Sequence, residues 1–248
     1  MLGAHHLLEY FQRFGPGRSV TFSDGAPRQP VRFPMAAMET EGAVLFADLP
    51  GYSKLAHQLD PVECAYLVNH FFAWFEREAG RLYGGLVDKF IGDEVMVVFP
   101  EAGARLQPLM AAMQTARALL AHDHYGFNPK IGIAFGELAI ALVGTQETAT
   151  VSAMGQVVNL AARCSGSAEP HSVRIATDHI QPVQEVFSGS PWEVLPPELF
   201  EPRHMAPVHV VDVRRTTRWE PAHSYLDEIK ERVKEARMRG AIRPDKLK

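Results

Sequence analysis

Four charged residues stand close together in GGLVDKFIGDEVMVVF, Gly84 to Phe99. Asp88, Lys89, Asp93 and Glu94 interrupt two runs that otherwise read as buried strand. Charges in such a place cost free energy unless something binds or pairs them. Asp48 ends another apolar run, GAVLFAD. If the strands are neighbours, Asp48 and Asp93 converge at one edge of a sheet. Two adjacent carboxylates repel unless a cation lies between them. Hard divalent ions such as Mg²⁺ take one or two carboxylates and leave positions for phosphate oxygens. Taken singly, each Asp is more simply a turn residue, because Gly92-Asp93 is an ordinary hairpin signal. Their company adds to the case. Asn159 and Arg163 are four apart in a predicted helix and so share a face. An amide beside a guanidinium suits a ribose and a polyphosphate, since Arg binds phosphate through a planar fork. Alone, Arg163 reads as a surface salt bridge. Lys89 alone reads as a solvent-facing strand residue, or as one pointing across a pocket or at a partner chain.

These residues need elements to position them. GAVLFAD, from Gly42, reads as a central strand. A helix starts at Asp60, with Asp60 as N-cap, Pro61 at the first helical position and Glu63 at capping-box spacing. Ala65, Val68, Phe72, Phe75, Ala79 and Leu82 form its apolar face. Gly84-Gly85 ends it. LVDKFI and EVMVVF read as strands joined at Gly92-Asp93. A helix follows from about Arg105 to His122. KIGIAF and LAIALVG read as a second hairpin around Gly136-Glu137. A helix over about Gly155–Ser167 precedes two late strands, VRIA and VHVVDV. The order predicts an α+β fold with helices against a mainly antiparallel sheet.

Residues 1–40 read as an N-terminal extension, 41–215 as the core domain and 216–248 as a helical tail. In the extension, Leu7, Leu8, Phe11 and Phe14 line one face of a short helix. Its role is open: it inhibits, completes a dimer or covers the sheet. In the tail, Leu226, Ile229 and Val233 give either a solvated helix packed by a narrow stripe or a partner-binding helix.

Composition excludes several classes. The chain has 248 residues, 46% hydrophobic and 22% charged, enough for a sizeable core. Its formal net charge of −4 leaves no basic surplus for neutralising nucleic-acid phosphates. Two cysteines, Cys64 and Cys164, make no disulfide framework or zinc pattern, which fits a reducing compartment. No apolar run approaches the ~20 residues of a membrane span, and the N-terminus lacks the features of a secretory signal. A cytoplasmic protein is expected. His122-Asp123-His124 is expected in a solvated loop, and no His/Asp cluster supports a metal-dependent phosphodiesterase.

FADLPGYSKL, GGLVDKFIGDEVMVVF, KIGIAFGELAIALVG and SAMGQVVNLAARC, in this order and at these separations, resemble the catalytic domain of class III nucleotidyl cyclases. The resemblance covers roughly Gly42 to Val213. It implies a ferredoxin-like cyclase fold and a head-to-tail homodimer with composite active sites. It implies two Mg²⁺ or Mn²⁺ ions per site, held by Asp48 and Asp93 with the Leu49 carbonyl as an extra ligand. Lys89 and Ser152 match the base-recognising positions. Asn159 matches the residue that orients the ribose, and Arg163 the one that stabilises charge on the phosphates. Arg203 is a looser match to a basic phosphate ligand. The implied reaction turns a nucleoside triphosphate into a 3′,5′-cyclic nucleotide and pyrophosphate. Lys89 offers only donors, which suits adenine N1 or a uracil carbonyl, while Ser152 can donate or accept. The compact chain is also similar to stand-alone bacterial pyrimidine cyclases, whose cyclic UMP or CMP acts on an effector in anti-phage defence. ATP and a pyrimidine triphosphate therefore both stand as substrates. The alternative from another class is an inactive, cyclase-like scaffolding module.

Overall fold

The computed structural model describes residues 3–23, 32–79, 83–102, 106–123, 125–217 and 225–241. Its centre is a long two-stranded ribbon. Strand β3 (Ala37–Asp48) pairs antiparallel with β6 (Lys130–Val143) over its whole length, from Ala37 opposite Ala141 to Asp48 opposite Lys130. The hairpin β4 (Leu86–Ile91) and β5 (Glu94–Pro100) adds to the other edge of β3. Strand β8 (Ser172–Ala176) runs parallel to β6, and β11 (Val208–Arg215) runs antiparallel to β8. Strands β9 (Trp192–Val194) and β10 (Glu198–Phe200) pair with β11. The spatial order is β10-β11-β8-β6-β3-β5-β4, with one parallel pairing in an otherwise antiparallel sheet. A separate hairpin, β1 (Val20–Ser23) and β2 (Arg32–Met35), precedes it. This is the mixed fold that the motif order predicts.

Strand alternation divides the core into two layers. Ala43, Leu45, Ala47, Val95, Val97, Ile131 and Ile133 face one layer. There helix α3 (Pro61–Ala79) brings Leu67, Phe71, Trp74 and Phe75, and α4 (Pro108–Ala121) brings Ala112, Ala116 and Leu119. Burial of each large α3 side chain contributes roughly 1.5–3 kcal/mol. Val44, Phe46, Met96, Val98 and Ala134 face the opposite layer, under α1 (Gly3–Phe14) and α5 (Gln156–Ser167). The capping box at α3 forms as predicted. Asp60 Oδ1 accepts the Val62 and Glu63 N–H groups at 2.8 and 3.0 Å, and Glu63 Oε2 accepts the Asp60 N–H at 2.9 Å.

Several expectations need correction. KIGIAF and LAIALVG are one continuous strand, β6, because the 12-residue β3 pairs with both halves. The true partner in the hairpin is β7 (Thr150–Met154), which pairs with Ala139–Val143. The first central strand begins at Ala37, five residues before Gly42. In the predicted loop, Asp123 is fully buried rather than solvated. It accepts the backbone N–H groups of Phe127 at 2.9 Å and Asn128 at 2.7 Å, closing the turn that leads into β6. His124, Leu82 and Arg105, where other parts of the sequence reading fall, lie outside the described residues.

The flanking segments pack on the domain. Leu7 and Phe11 of α1 are buried beside β4 and β7. Helix α7 (Tyr225–Met238) buries Ile229 and Val233, and Arg237 reaches Asp60 Oδ2 at 2.6 Å. The short helices α2 (Tyr52–Ala56) and α6 (Ile180–Val186) complete the chain.

Candidate active site

Three groups of polar residues project from the α1/α5 side of the sheet. The first sits at the C-terminal end of β3. Asp48 lies directly opposite Glu94, the first residue of β5, and opposite Lys130, the first residue of β6. The even-numbered positions of β3, β5 and β6 share a face, so Asp48, Glu94 and Lys130 form one row. Asp93 joins them from the turn between β4 and β5. That turn is tight, with Gly92 at φ 63°, a left-handed conformation that glycine adopts without strain.

This group carries more negative charge than its neighbours offset. Partial burial and the nearby Asp48 push the Asp93 carboxyl up to about 6. Burial, then Asp48 and Asp93, push Glu94 up to about 7, against the opposing pull of Lys130. Burial first, and then the neighbouring carboxylates, hold Asp93 and Glu94 towards their neutral forms. The buried Leu49 follows Asp48, and its carbonyl accepts the Tyr52 N–H at 3.3 Å. Among the described residues no group of three or more His, Cys, Asp or Glu side chains forms a closed metal cage. Two carboxylates on an open edge are instead what a Mg²⁺-type ion uses when phosphate oxygens and water complete its shell. The residues therefore fit a divalent cation carried in with a phosphorylated substrate.

The second group joins β4 to β7. A β-bulge sets Val87 opposite Val97 and Lys89 opposite Met96, leaving Asp88 as the extra residue. In a regular strand Asp88 and Lys89 would point to opposite faces. The bulge re-aims them so that both reach Ser152 of β7. Lys89 Nζ donates to Ser152 Oγ in a short hydrogen bond. Ser152 Oγ donates to Asp88 Oδ2 at 3.0 Å, and the Ala153 N–H donates to the same oxygen at 2.9 Å. Lys89 Nζ stands 3.8 Å from Asp88 Oδ2. Asp88 and Ser152 are 3% and 2% exposed, whereas the Lys89 side chain keeps 40% of its surface open.

The third group lies on α5. Val157, Ala161, Cys164 and Ser165 face the sheet, so Asn159 and Arg163 share the exposed face. The helix backbone rests directly on β6 at Gly132. A Cβ there would lie 2.1 Å from the Ser165 nitrogen and 2.3 Å from the Ala161 oxygen, so only glycine permits this approach. At the C-terminal end of α5, Lys130 Nζ donates to the Gly166 carbonyl at 2.9 Å. Ser165 Oγ donates to the Lys130 carbonyl at 3.2 Å.

The structure thus brings Asp48 to Asp93, Lys89 to Ser152, and Asn159 to one face with Arg163. Lys130 ties the acidic row to the C-terminal end of α5 through Gly166 and Ser165. Arg203 stands apart. It is exposed in the turn between β10 and β11. Arg214 of β11 is level with Ser172 and Lys130, hence with Asp48, so the start of β11 and Arg203 lie at the far end of the sheet. The sequence reading assigned no role to Asp88 or Glu94. Their presence among buried strand residues was the available signal, but the bulge that turns Asp88 inward leaves no mark in a one-letter pattern.

The sequence model of the adenylate and guanylate cyclase catalytic domain matches residues 36–190. The chain belongs to this family, and its core is a nucleotidyl cyclase catalytic domain of the adenylyl/guanylyl type. It is similar to an adenylate cyclase of Anabaena cylindrica, 26% identical over 183 residues, which are 68% of this chain and 35% of that protein. It is also similar to an uncharacterised protein of Mycobacterium tuberculosis, 30% identical over 162 residues, 64% of this chain and 30% of that one. The chain spans about a third of the length of these curated relatives. Among solved structures, the adenylyl cyclase CyaB of P. aeruginosa shares the fold at a TM-score of 0.63 and 21% identity, covering 74% of this chain and 98% of that chain. The guanylyl cyclase Cya2 does so at 0.58 and 21%, covering 71% and 92%. No helix of the described residues is long and apolar enough to cross a membrane.

Proposed function

We propose that this chain converts a nucleoside triphosphate, ATP or a pyrimidine triphosphate such as UTP, into its 3′,5′-cyclic nucleotide and pyrophosphate. The carrying observation is the Asp48–Asp93 pair, brought together where β3 ends opposite Glu94 in a cyclase-type sheet. The ribose 3′-oxygen attacks the α-phosphorus, the bond to the bridging oxygen breaks, and pyrophosphate leaves with that electron pair. Divalent ions bound at such a site supply a lowered pKa for the 3′-hydroxyl and a counter-charge for the leaving oxygens. Asp48 and Asp93 hold these ions, Mg²⁺ or Mn²⁺, with the Leu49 carbonyl beside them. Asn159 holds the ribose so that the 3′-oxygen lies in line with the breaking bond. Arg163 places its planar fork against the phosphate oxygens as charge builds there. Lys89 and Ser152 meet the base. The protein positions and stabilises charge rather than forming a covalent intermediate.

Two copies complete one site. The carboxylate pair of one protomer faces Lys89, Ser152, Asn159 and Arg163 of its partner. Phe90, Ile91 and Met154, exposed beside Lys89 and Ser152, give that interface an apolar rim. Arg203 serves as a phosphate ligand only if it reaches a site from the opposite protomer. A pyrimidine product would place the chain in anti-phage signalling through a nucleotide-binding effector. A cytoplasmic location follows from the triphosphate substrate.

The test is product analysis. The purified chain is incubated with equimolar ATP, GTP, CTP and UTP plus Mn²⁺, and products are identified by mass spectrometry. A cyclic nucleotide with matching pyrophosphate is expected. No cyclic product from a confirmed dimer would move the reading to a scaffolding module.

A further inference from the structure

Asp88 is a nearly fully buried carboxylate that none of the roles above uses. The bulge directs it at Ser152 rather than at solvent. Its Oδ2 receives the Ala153 N–H, a group that can only donate. That oxygen accepts the Ala153 N–H and the Ser152 hydroxyl, and the Lys89 ammonium 3.8 Å away opposes its protonation. A hydroxyl has one proton and two lone pairs. The proton of Ser152 has Asp88 Oδ2 at 3.0 Å as a nearer acceptor than the Ala153 carbonyl at 3.4 Å, and one lone pair takes the Lys89 ammonium. Ser152 thus has no donor left for a ligand and can only accept.

We propose that Asp88 fixes the polarity of Ser152 and so makes the base pocket selective for bases carrying an amine beside a ring acceptor, adenine and cytosine, over the keto bases uracil and guanine. The proposal rests on the reading of Lys89 and Ser152 as the residues that meet the base, and narrows it. Lys89 is the half-open member of the trio and covers Ser152. When a base enters, the ammonium swings to the ring acceptor, adenine N1 or cytosine N3. The exocyclic amine then takes the place of Lys89 on the Ser152 oxygen. Lys89 and Ser152 each regain a hydrogen-bond partner in this exchange. A keto base presents the reverse order, with a carbonyl oxygen next to a ring N–H. Its carbonyl would face the Ser152 lone pairs, and Ser152 could not turn its proton outward without giving up its bond to the buried Asp88. Mispairing buried polar groups in this way costs far more than losing a surface contact.

Asp88 acts through Ser152 and is a positioning residue. The test uses the full chain with Mn²⁺. Binding of ATP, CTP, UTP and GTP is measured by competition against a fluorescent nucleotide, and initial rates give kcat/KM for each. Wild type is expected to favour the amino nucleotides by roughly 10- to 100-fold in both readouts. Asp88→Ala should bring that ratio close to one. Asp88→Asn should restore it, because the amide oxygen can accept from both Ser152 and Ala153. A general loss of structure would lower binding of all four nucleotides together and leave the ratio alone. An unchanged ratio in a folded Asp88→Ala, with a shifted ratio in Ser152→Ala, overturns the role of Asp88 while the base pocket stands. An unchanged ratio in both Ser152→Ala and Lys89→Ala overturns the base-pocket reading itself. If Asp88→Ala does not fold, the wild type still decides: keto nucleotides bound as tightly as amino ones refute the proposal.

Discussion

Two acidic regions of this sheet meet the same problem in opposite ways. At Asp88 the carboxylate is buried but supplied: a backbone N–H, a hydroxyl and an ammonium surround it. At Asp48, Asp93 and Glu94 the carboxylates are less buried but crowd one another, with Lys130 drawing on Glu94. A buried charge that finds its partners inside the chain belongs to the structure of the pocket. A cluster with fewer partners inside the chain is, in the function proposed, completed from outside it. The first region is built to hold a shape, and the second is built to be completed.

The contrast predicts a split between activity and stability. The largest effect on turnover is expected from Asp48→Ala or Asp93→Ala, which should lower it by more than about 10³-fold. Calorimetry should show an unchanged or slightly raised Tm, since removing one acid relieves repulsion. A large fall in Tm would mean that the cluster is structural after all. Arg163→Ala should lower kcat by about 10² to 10³-fold, a loss confined to the charged transition state. Rates at saturating nucleotide would check this. A rise in KM alone would assign Arg163 to ground-state binding. Asp88→Ala should do the reverse of the metal-site variants. It leaves the Ala153 N–H and Ser152 hydroxyl without their acceptor and should cost roughly 1–3 kcal/mol of stability by denaturant unfolding.

The smallest predicted effect is a pH dependence. Asp93 and Glu94 have folded-state values raised to about 6 and about 7. A raised carboxyl favours the folded state while protonated, so its contribution is present below the unfolded value and fades as pH rises through the folded one. Without metal, this cluster should therefore weaken the fold progressively as the solution passes from acid through neutral pH. Mn²⁺ should reverse the loss, because it binds the ionised form. The Tm gain on adding Mn²⁺ should be larger near pH 8 than near pH 5.5, and chelation should abolish it. An equal gain at both values would sever the link between the raised carboxyls and metal binding.

Much of this was legible in the sequence because it is local. The capping box at Asp60–Glu63 is written in four adjacent residues and forms as spelled. Asp48 and Asp93 end apolar runs, and pairing of Asp48 with Glu94 brings the turn residue Asp93 next to it. The i, i+4 spacing of Asn159 and Arg163 set both on one face of α5. What escaped depends on partners distant in the chain. Gly136-Glu137 looked like a turn, yet β3 runs alongside and keeps β6 extended. Asp123 looked solvated until two backbone N–H groups closed over it. Asp88 looked like one charge among four, and only a bulge paired with a strand 64 residues away shows what it touches.

The central claim is that the bare acidic region of one chain and the base-and-phosphate region of another act on the same nucleotide. Mixing two inactive variants tests it most directly. Asp93→Ala and Arg163→Ala proteins are each assayed alone with Mn²⁺, then co-refolded in equal amounts and assayed again, with dimers verified by light scattering. Half of the dimers would be mixed, and each would hold one intact site, so about a quarter of wild-type turnover should return. Mixed dimers with no recovered turnover would contradict the account.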